Sequence, residues 1–313
     1  MGLRKAAVLA AAITLAACSA VVPVAEQTPA QSAEVVQPVA TAILVANTTP
    51  TAAPVSRSSP VGPATFVYEG ELTQGGWLRG RAPEGTVTAD LDGQNLVLDD
   101  EGRFFAAFDR DLGSQAVLTA QLRDGRTVES PVAIAPREWN IERVNVARRS
   151  GGITDAFWKI REPELKRINA ARGVDADSSG WAQDFIWPAK GRISGRFGSQ
   201  RIYRGEPGSY HSGIDIAPGN GVPFVAPADG IVTLAASGFS LEGNLLIIDH
   251  GQGLNSAFLH MSRIAVREGE KVNQGQYIGN IGSSGRATGP HLHWSLKWRD
   301  ARLDPLLFTG PMN

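Results

Sequence analysis

Glycine and proline are spread so densely through this chain that they limit the length of any regular element. The 313 residues include 35 glycines and 19 prolines, which favours many turns and short strands over long helices. The hydrophobic fraction of 42% is ordinary for a folded protein and argues against disorder of the whole chain. A formal net charge of −1 lacks the positive excess of nucleic-acid-binding proteins, so no nucleic acid partner is expected.

The first residues have the pattern of a secretory targeting segment. Arg4 and Lys5 precede an apolar run over residues 6–17, which is too short to span a bilayer and has the length of a signal-peptide core. The run ends in Leu15-Ala16-Ala17-Cys18, which resembles the lipobox of bacterial lipoproteins, and Cys18 is the single cysteine of the chain. We therefore predict a lipoprotein signal peptide at residues 1–17 and lipidation of Cys18. The alternative is an ordinary signal peptide in which the cysteine occurs by chance.

The resemblance to lipoproteins also implies a location. A lipid anchor at Cys18 would hold the mature protein in the cell envelope, on its periplasmic face, with the membrane as a partner. Ser19 follows the cysteine, and in lipoproteins of diderm bacteria this favours the outer membrane over the inner one.

Composition divides the part of the chain that follows. Residues 18–65 are rich in Pro, Ala and Thr and contain seven prolines, so we predict a disordered tether. In residues 66–136, short apolar runs alternate with turn pairs such as Asp92-Gly93 and Asp124-Gly125. This spacing predicts a small β-sandwich domain of the immunoglobulin-like type.

A connector is predicted between the β-sandwich and the C-terminal domain. Residues 137–183 include Phe157, Ile160, Leu165 and Ile168, which could line one face of a helix. Pro163 is expected at an early position of that helix, where its missing N–H costs nothing. The connector is therefore expected to be partly helical.

All the histidines of the chain lie in one window. The five of them fall within residues 211–293, and the clustering favours a metal site or an acid–base site. They are His211, His250, His260, His291 and His293.

Local spacing sharpens this prediction. His211 and Asp215 stand at the start of a predicted strand, and His291-Leu292-His293 begins another. Because residues i and i+2 of a strand share a face, both imidazoles of the second motif can face one cavity. Two histidines and one aspartate would suit a catalytic zinc that keeps an open position for water. A structural zinc is disfavoured, since no fourth soft ligand is left once Cys18 is lipidated.

Several motifs resemble the lysostaphin/LytM-type zinc metallopeptidases, in their order and spacing, over residues 184–309. They are His211-Ser212-Gly213-Ile214-Asp215, Ala226-Pro227-Ala228-Asp229-Gly230, Asp249-His250-Gly251, Leu259-His260 and Gly289-Pro290-His291-Leu292-His293. The resemblance implies an antiparallel β metallopeptidase domain with an open groove at residues 184–313.

The resemblance also implies roles for individual residues. His211, Asp215 and His293 would bind one zinc ion per chain, and His260 and His291 would be catalytic. The spacing of the residues could not by itself separate His291 from His293. His250 would not be a ligand, and we expect it to be a hydrogen-bonded structural histidine.

The implied activity is that of a zinc metalloendopeptidase. A zinc-activated water would hydrolyse peptide cross-links of bacterial peptidoglycan, so the stem peptides of peptidoglycan are the expected partners. The alternative is an envelope-anchored regulatory or binding module that activates or recruits other peptidoglycan hydrolases. Partner proteins in the envelope are left undetermined by the sequence.

Trp294 and Trp298 follow the second histidine motif on one face of the predicted strand. We expect both to pack in the core rather than to form a platform for substrate.

Overall fold

The computed structural model describes residues 62–147 and 154–312. The predicted signal peptide, Cys18 and the tether up to residue 61 lie outside the described residues. Within the described ranges, no helix is both long and apolar enough to cross a membrane. Strands dominate these ranges and pair mostly in antiparallel fashion, so the prediction of a mainly β chain is confirmed.

The first described region consists of short strands in two antiparallel sheets. The strands are β1 (Val67–Glu71), β2 (Trp77–Arg81), β3 (Thr86–Leu91), β4 (Gln94–Asn95), β5 (Arg103–Ala107), β6 (Gln115–Leu122) and β7 (Thr127–Ala133). One sheet has the order β1-β2-β5 and the other β4-β3-β6-β7. Burial alternates along β6, as expected for a strand that turns one face to a core. The immunoglobulin-like type of this region stays a prediction.

The predicted connector contains both a strand and a helix. Its elements are β8 (Ile141–Val144), α1 (Asp155–Arg172) and a 3₁₀ turn (Gly180–Ala182). The side chain of Thr154 caps α1 by accepting a hydrogen bond from the Phe157 N–H at 3.1 Å.

Two expectations for this helix are wrong. Pro163 lies in the middle of α1 rather than in its first turn, so the helix runs through it. Ile160 is 58% exposed, whereas Arg161 and Glu164 are buried on the inner face. These two charged residues can face inward because they pair with each other at 2.9 Å, and Arg161 pairs with Glu242 at 2.6 Å.

The C-terminal region is built on one large antiparallel sheet. Its strands are β9 (Arg192–Gly195), β10 (Gln200–Tyr203), β11 (Glu206–Pro207), β12 (Ile214–Ala217), β13 (Pro223–Val225), β14 (Gly230–Phe239), β15 (Gly243–Asp249), β16 (Leu254–Leu259), β17 (Met261–Ile264), β18 (Lys271–Val272), β19 (Tyr277–Ile281), β20 (Leu292–Trp298) and β21 (Ala301–Leu303), followed by a one-turn helix α2 (Leu306–Thr309). The large sheet has the order β18-β14-β15-β16-β20-β12-β9, and β21 also pairs with β20. Smaller sheets have the orders β13-β19-β17 and β11-β10-β8.

Strand β20 separates the core from the face that carries the histidines. Trp294 and Trp298 are fully buried on one side, and Trp294 stacks on Phe258 with ring centroids 6.4 Å apart. Burial of one such ring stabilises the fold by about 1.5–3 kcal/mol. Because side chains alternate along a strand, His293 points to the opposite side.

Each face of this sheet is covered by a different part of the chain. The first β region packs on the tryptophan side, where Phe105 contacts Trp298 with ring centroids 6.4 Å apart. Helix α1 packs on the histidine side, where Ile168 and Ala171 join the buried side chain of Ala257. Helix α1 therefore shares the histidine face with the predicted site residues.

Candidate active site

Three of the predicted site residues converge on one point of the histidine face. Asp215 in β12 lies directly opposite His293 in β20, and His211 comes from the loop before β12. His293 Nδ1 lies 2.9 Å from Asp215 Oδ1, His211 Nε2 lies 3.1 Å from the same oxygen, and the two nitrogens are 3.0 Å apart. These three atoms form a compact triangle of potential metal ligands, and all three residues are partly exposed.

Neighbouring backbone supports this arrangement. The Nδ1 of His211 lies 3.1 Å from the carbonyl oxygen of Arg196, which accepts its proton and leaves Nε2 as the ligand atom. Gly195 pairs with Asp215 across the sheet, and a Cβ at this glycine would overlap with the Oδ2 atom of the carboxylate. Sequence reasoning did not single out Arg196 or Gly195. A glycine within a strand often marks the close approach of another group to the backbone. This pattern could have indicated Gly195 from the sequence.

The charges of the three residues are mutually dependent. Burial works to raise the pKa of Asp215, but its contacts with His211 and His293 outweigh this and hold that pKa well below its ordinary value. Burial works to lower the pKa of His211, but the hydrogen bond to Asp215 raises it above the usual range. Burial lowers the pKa of His293, which favours its neutral form. An ionised carboxylate beside imidazole nitrogens is a donor set that fits zinc.

His260 and His291 lie beside the three candidate ligands. Their ring centroids are 4.9 Å apart, and His291 Nε2 lies 3.7 Å from Asp215 Oδ1. His260 Nδ1 lies 2.8 Å from the Ser284 carbonyl oxygen, and His291 Nδ1 lies 2.8 Å from the Gly289 carbonyl oxygen. Because a carbonyl only accepts, each ring carries hydrogen on Nδ1 when neutral and can accept a proton on Nε2.

The backbone of His260 is held in an unusual conformation. Its φ is +63°, in the left-handed region that residues other than glycine rarely adopt. Its N–H donates to the carbonyl oxygen of Glu242 at 2.9 Å, and Glu242 is fixed in turn by Arg161 of helix α1. Burial lowers the pKa of the His260 imidazole, so the ring is neutral near pH 7 and available as a proton acceptor. Sequence reasoning missed the link from α1 to His260, because it depends on a long-range ion pair.

His250 stands apart from this cluster. Both of its ring nitrogens are paired, with the Asp229 carbonyl oxygen at 2.7 Å and the Ser256 hydroxyl at 2.8 Å. The residue is fully buried, and burial lowers the pKa of its imidazole to about 4. It packs against Phe185 with ring centroids 4.9 Å apart. With neither nitrogen available, His250 has the surroundings of a structural histidine.

Comparison with known proteins places this site in a family. Residues 209–305 match the model of peptidase family M23. The peptidoglycan DD-endopeptidase ShyA of Vibrio cholerae is 37% identical over 128 residues, which cover 40% of this chain and 29% of that protein. The murein hydrolase activator NlpD of Escherichia coli is 34% identical over 122 residues, which cover 39% of this chain and 30% of that protein. The chain thus spans about a third of the length of each of these relatives.

A solved structure extends the likeness beyond the matched domain. The crystal structure of a protein assigned to peptidase M23 from Pseudomonas aeruginosa superposes with a TM-score of 0.58 at 26% identity. The superposition covers 78% of this chain and 96% of that one. The matched residues include the clustered candidate ligands His211, Asp215 and His293. Residues 209–305 therefore form a peptidase M23 domain of the LytM type within this chain.

Proposed function

We propose that this protein is a zinc metalloendopeptidase that hydrolyses peptide cross-links of bacterial peptidoglycan. The observation that carries the proposal is the triangle formed by His211 Nε2, Asp215 Oδ1 and His293 Nδ1, with His260 and His291 beside it. Similarity to the DD-endopeptidase ShyA supports the choice of substrate.

The residues of the site divide into two chemical roles. His211, Asp215 and His293 would hold one zinc ion, which would supply Lewis-acid activation of water and of a peptide carbonyl. The Nδ1 atoms of His260 and His291 are each hydrogen-bonded to a backbone carbonyl oxygen, which leaves Nε2 of each ring for the reaction. One of the two accepts the proton of the attacking water and passes it to the leaving amine, and the other stabilises the oxyanion in its protonated form.

A direct assay tests this proposal. The purified full chain is incubated with purified cross-linked peptidoglycan, and the ratio of dimeric to monomeric muropeptides is followed by chromatography. We expect the dimers to decline, and we expect a chelator or the His293→Ala variant to stop the decline. An unchanged ratio with the zinc-loaded protein would contradict the proposal.

A regulatory role is the second candidate, and it is favoured by similarity to the murein hydrolase activator NlpD. In that case the chain would stimulate a separate peptidoglycan hydrolase without cleaving cross-links itself. The presence of all five histidine and aspartate site residues argues for catalysis, because activation alone does not require proton acceptors beside a metal site. An assay with a purified amidase, in the presence and absence of the His291→Ala variant, separates the two roles.

We further propose that Cys18 anchors the protein by lipid to the periplasmic face of the envelope, at the outer membrane. The lipobox-like sequence before Cys18 and the tether at residues 18–65 support this arrangement, in which residues 66–136, 137–183 and 184–313 form the β domain, connector and peptidase domain. Labelled fatty acid should be incorporated by the chain and not by the Cys18→Ser variant.

A further inference from the structure

Beside the candidate metal site, the same face of the sheet carries a row of positive charge. Lys297 in β20 lies directly opposite Arg302 in β21. Like charges in directly opposed positions of neighbouring strands destabilise a sheet. On its other side Lys297 is paired with the uncharged Asn255 in β16, so the two cations and this amide lie in a row across three strands.

Helix α1 adds a third cation above this row. The Arg172 guanidinium donates to Asn255 Oδ1 at 2.6 Å and forms no ion pair within the described residues. Burial lowers the pKa of Arg172 to about 10, and the charge of Arg302 contributes to this. Burial, followed by the charge of Arg172, also lowers the pKa of Lys297. These cations therefore repel one another.

The amide of Asn255 points to a missing acceptor. Asn255 is fully buried, and its Nδ2 has no hydrogen-bond partner among the described residues. The orientation of the amide is fixed, because a guanidinium can only donate and so must face the oxygen. A buried donor without an acceptor is costly, so Arg172 is held by an amide that is itself incompletely paired and not by a carboxylate.

A cavity of about 170 Å³ lies between these groups. Three cations, Arg172, Lys297 and Arg302, line it together with Ser212 and Ser295, and no acidic residue is among the described residues at its wall. A larger cavity of about 440 Å³ adjoins it and shares Arg172 and Lys297. The acids Asp175 and Asp300 line only the larger cavity, and the carboxylate of Asp300 is fully exposed and 3.9 Å from Lys297.

The smaller cavity lies on the same sheet face as the candidate metal site. Ser212 follows His211 in the chain, and Ser295 shares a strand face with His293. Two residues of a strand span about 7 Å and four about 13 Å, so Lys297 lies about 13 Å along the strand from His293. An extended peptide cleaved at the metal site would bring a group two to four residues away into this cavity, at about 3.3 Å per residue.

We propose that Arg172, Lys297 and Arg302 form a subsite that binds a free carboxylate of the peptide substrate. The inference rests on the proposed peptidase function, and it specifies that function by requiring an acidic group at a set distance from the scissile bond. Ser212 and Ser295 line the same cavity and supply uncharged donors to the anion. Carboxylates prefer such paired, charge-assisted donors.

The test compares two forms of one substrate. Cross-linked muropeptide dimers are used untreated, or with their carboxylates converted to amides by carbodiimide and ammonia. We expect the zinc-loaded full chain to prefer untreated dimers by about tenfold or more in kcat/KM, because a hydrogen bond to a charged group has this effect. Lys297→Gln and Arg302→Gln should reduce the preference towards one.

Control variants separate binding from folding. Lys271→Gln removes the same charge from an exposed position of the same sheet and should keep the preference. Lys297→Arg should also keep it. The proposal would be overturned if Lys297→Gln kept the preference for untreated dimers, or if the wild type cleaved both forms equally. It would also be overturned if Lys297→Gln lowered kcat/KM by the same factor for both forms. Each of these outcomes leaves the peptidase function standing.

A binding measurement decides the case in which the wild type cleaves neither substrate. Calorimetry with the zinc-loaded full chain then compares untreated and amidated dimers. Tighter binding of untreated dimers that is lost in Lys297→Gln supports the subsite while the peptidase proposal fails. Equal binding of the two forms overturns the subsite as well.

Discussion

Two groups of histidine and aspartate lie at opposite edges of the large sheet, where different strands end. Asp215 and His293 face each other at one end, with His211 between them. At the other end, Asp249 and His250 close β15 and are bonded individually to backbone and hydroxyl groups. The same residue types therefore form a shared donor cluster in one place and, in the other, two residues that bond separately to backbone and hydroxyl groups.

The two carboxylates show what causes the difference. Asp249 receives backbone N–H groups from Ala176 at 2.9 Å and Gly251 at 3.1 Å, and burial still raises its pKa to about 6. Asp215 faces two imidazoles, which overcome burial and lower its pKa. A candidate metal or catalytic site is thus indicated by several donor atoms that face one another, and not by the burial or the type of a single residue.

The largest expected effect distinguishes the two groups by metal content. His293→Ala should remove bound zinc and reduce hydrolysis of cross-linked muropeptides by roughly 10³-fold or more, since a ligand of the cluster is lost. Metal analysis of the purified protein and the muropeptide assay measure both effects. His250→Gln is the matched control and should keep its zinc. Zinc loss in the control alone would reverse the assignment.

The next effect separates the functions within the cluster. His291→Ala should retain zinc but reduce hydrolysis by about 10²–10⁴-fold, because a proton acceptor is lost while the three candidate ligands stay. The same metal analysis and rate assay apply. Cleavage by His291→Ala at the wild-type rate would show that the division of roles is wrong.

In the group formed by Asp249 and His250, the His250→Ala variant should lower the free energy of unfolding by about 2–4 kcal/mol. It removes two hydrogen bonds and leaves a buried cavity between Asp229, Ser256 and Phe185. Denaturant unfolding measures the change. Below its unfolding transition the variant should retain zinc and activity, and a loss of either would place His250 with the functional group.

The smallest expected effect concerns pH. The folded-state pKa of Asp249 is about 6, above the ordinary value of 3.8, so the folded protein holds this proton more tightly. The resulting stabilisation is full below about pH 4 and is lost as pH rises through 6, by about 1–3 kcal/mol. Asp249→Asn should remove this part of the pH dependence of unfolding. The raised pKa would be contradicted if the free energy of unfolding differed between pH 4.5 and pH 7 by the same amount in the variant and in the wild type.

Much of the site was predictable because its determinants are local. The two-residue period of a strand puts His291 and His293 on one face, and the four-residue step from His211 to Asp215 joins a loop to a strand. Short strands and tight turns likewise follow from the density of glycine and the Asp-Gly pairs. These patterns need no knowledge of distant contacts.

Other features could not be read in this way. Helix α1 was expected to bury Ile160, but Arg161 and Glu164 are buried instead because Glu242 lies across from them. The cations Arg172 and Lys297 are far apart in sequence and share a cavity only after α1 packs on the sheet. No local pattern encodes such a pairing.

The sequence by itself determined which residues could do chemistry, the mainly β character, and the kind of turns that join the strands. Only the tertiary structure decided that β12 pairs with β20 so that Asp215 opposes His293, while His291 stays outside the triangle. The reason is that residue type and spacing act over a few bonds, whereas strand register and helix docking depend on burial of surfaces that distant segments bring together.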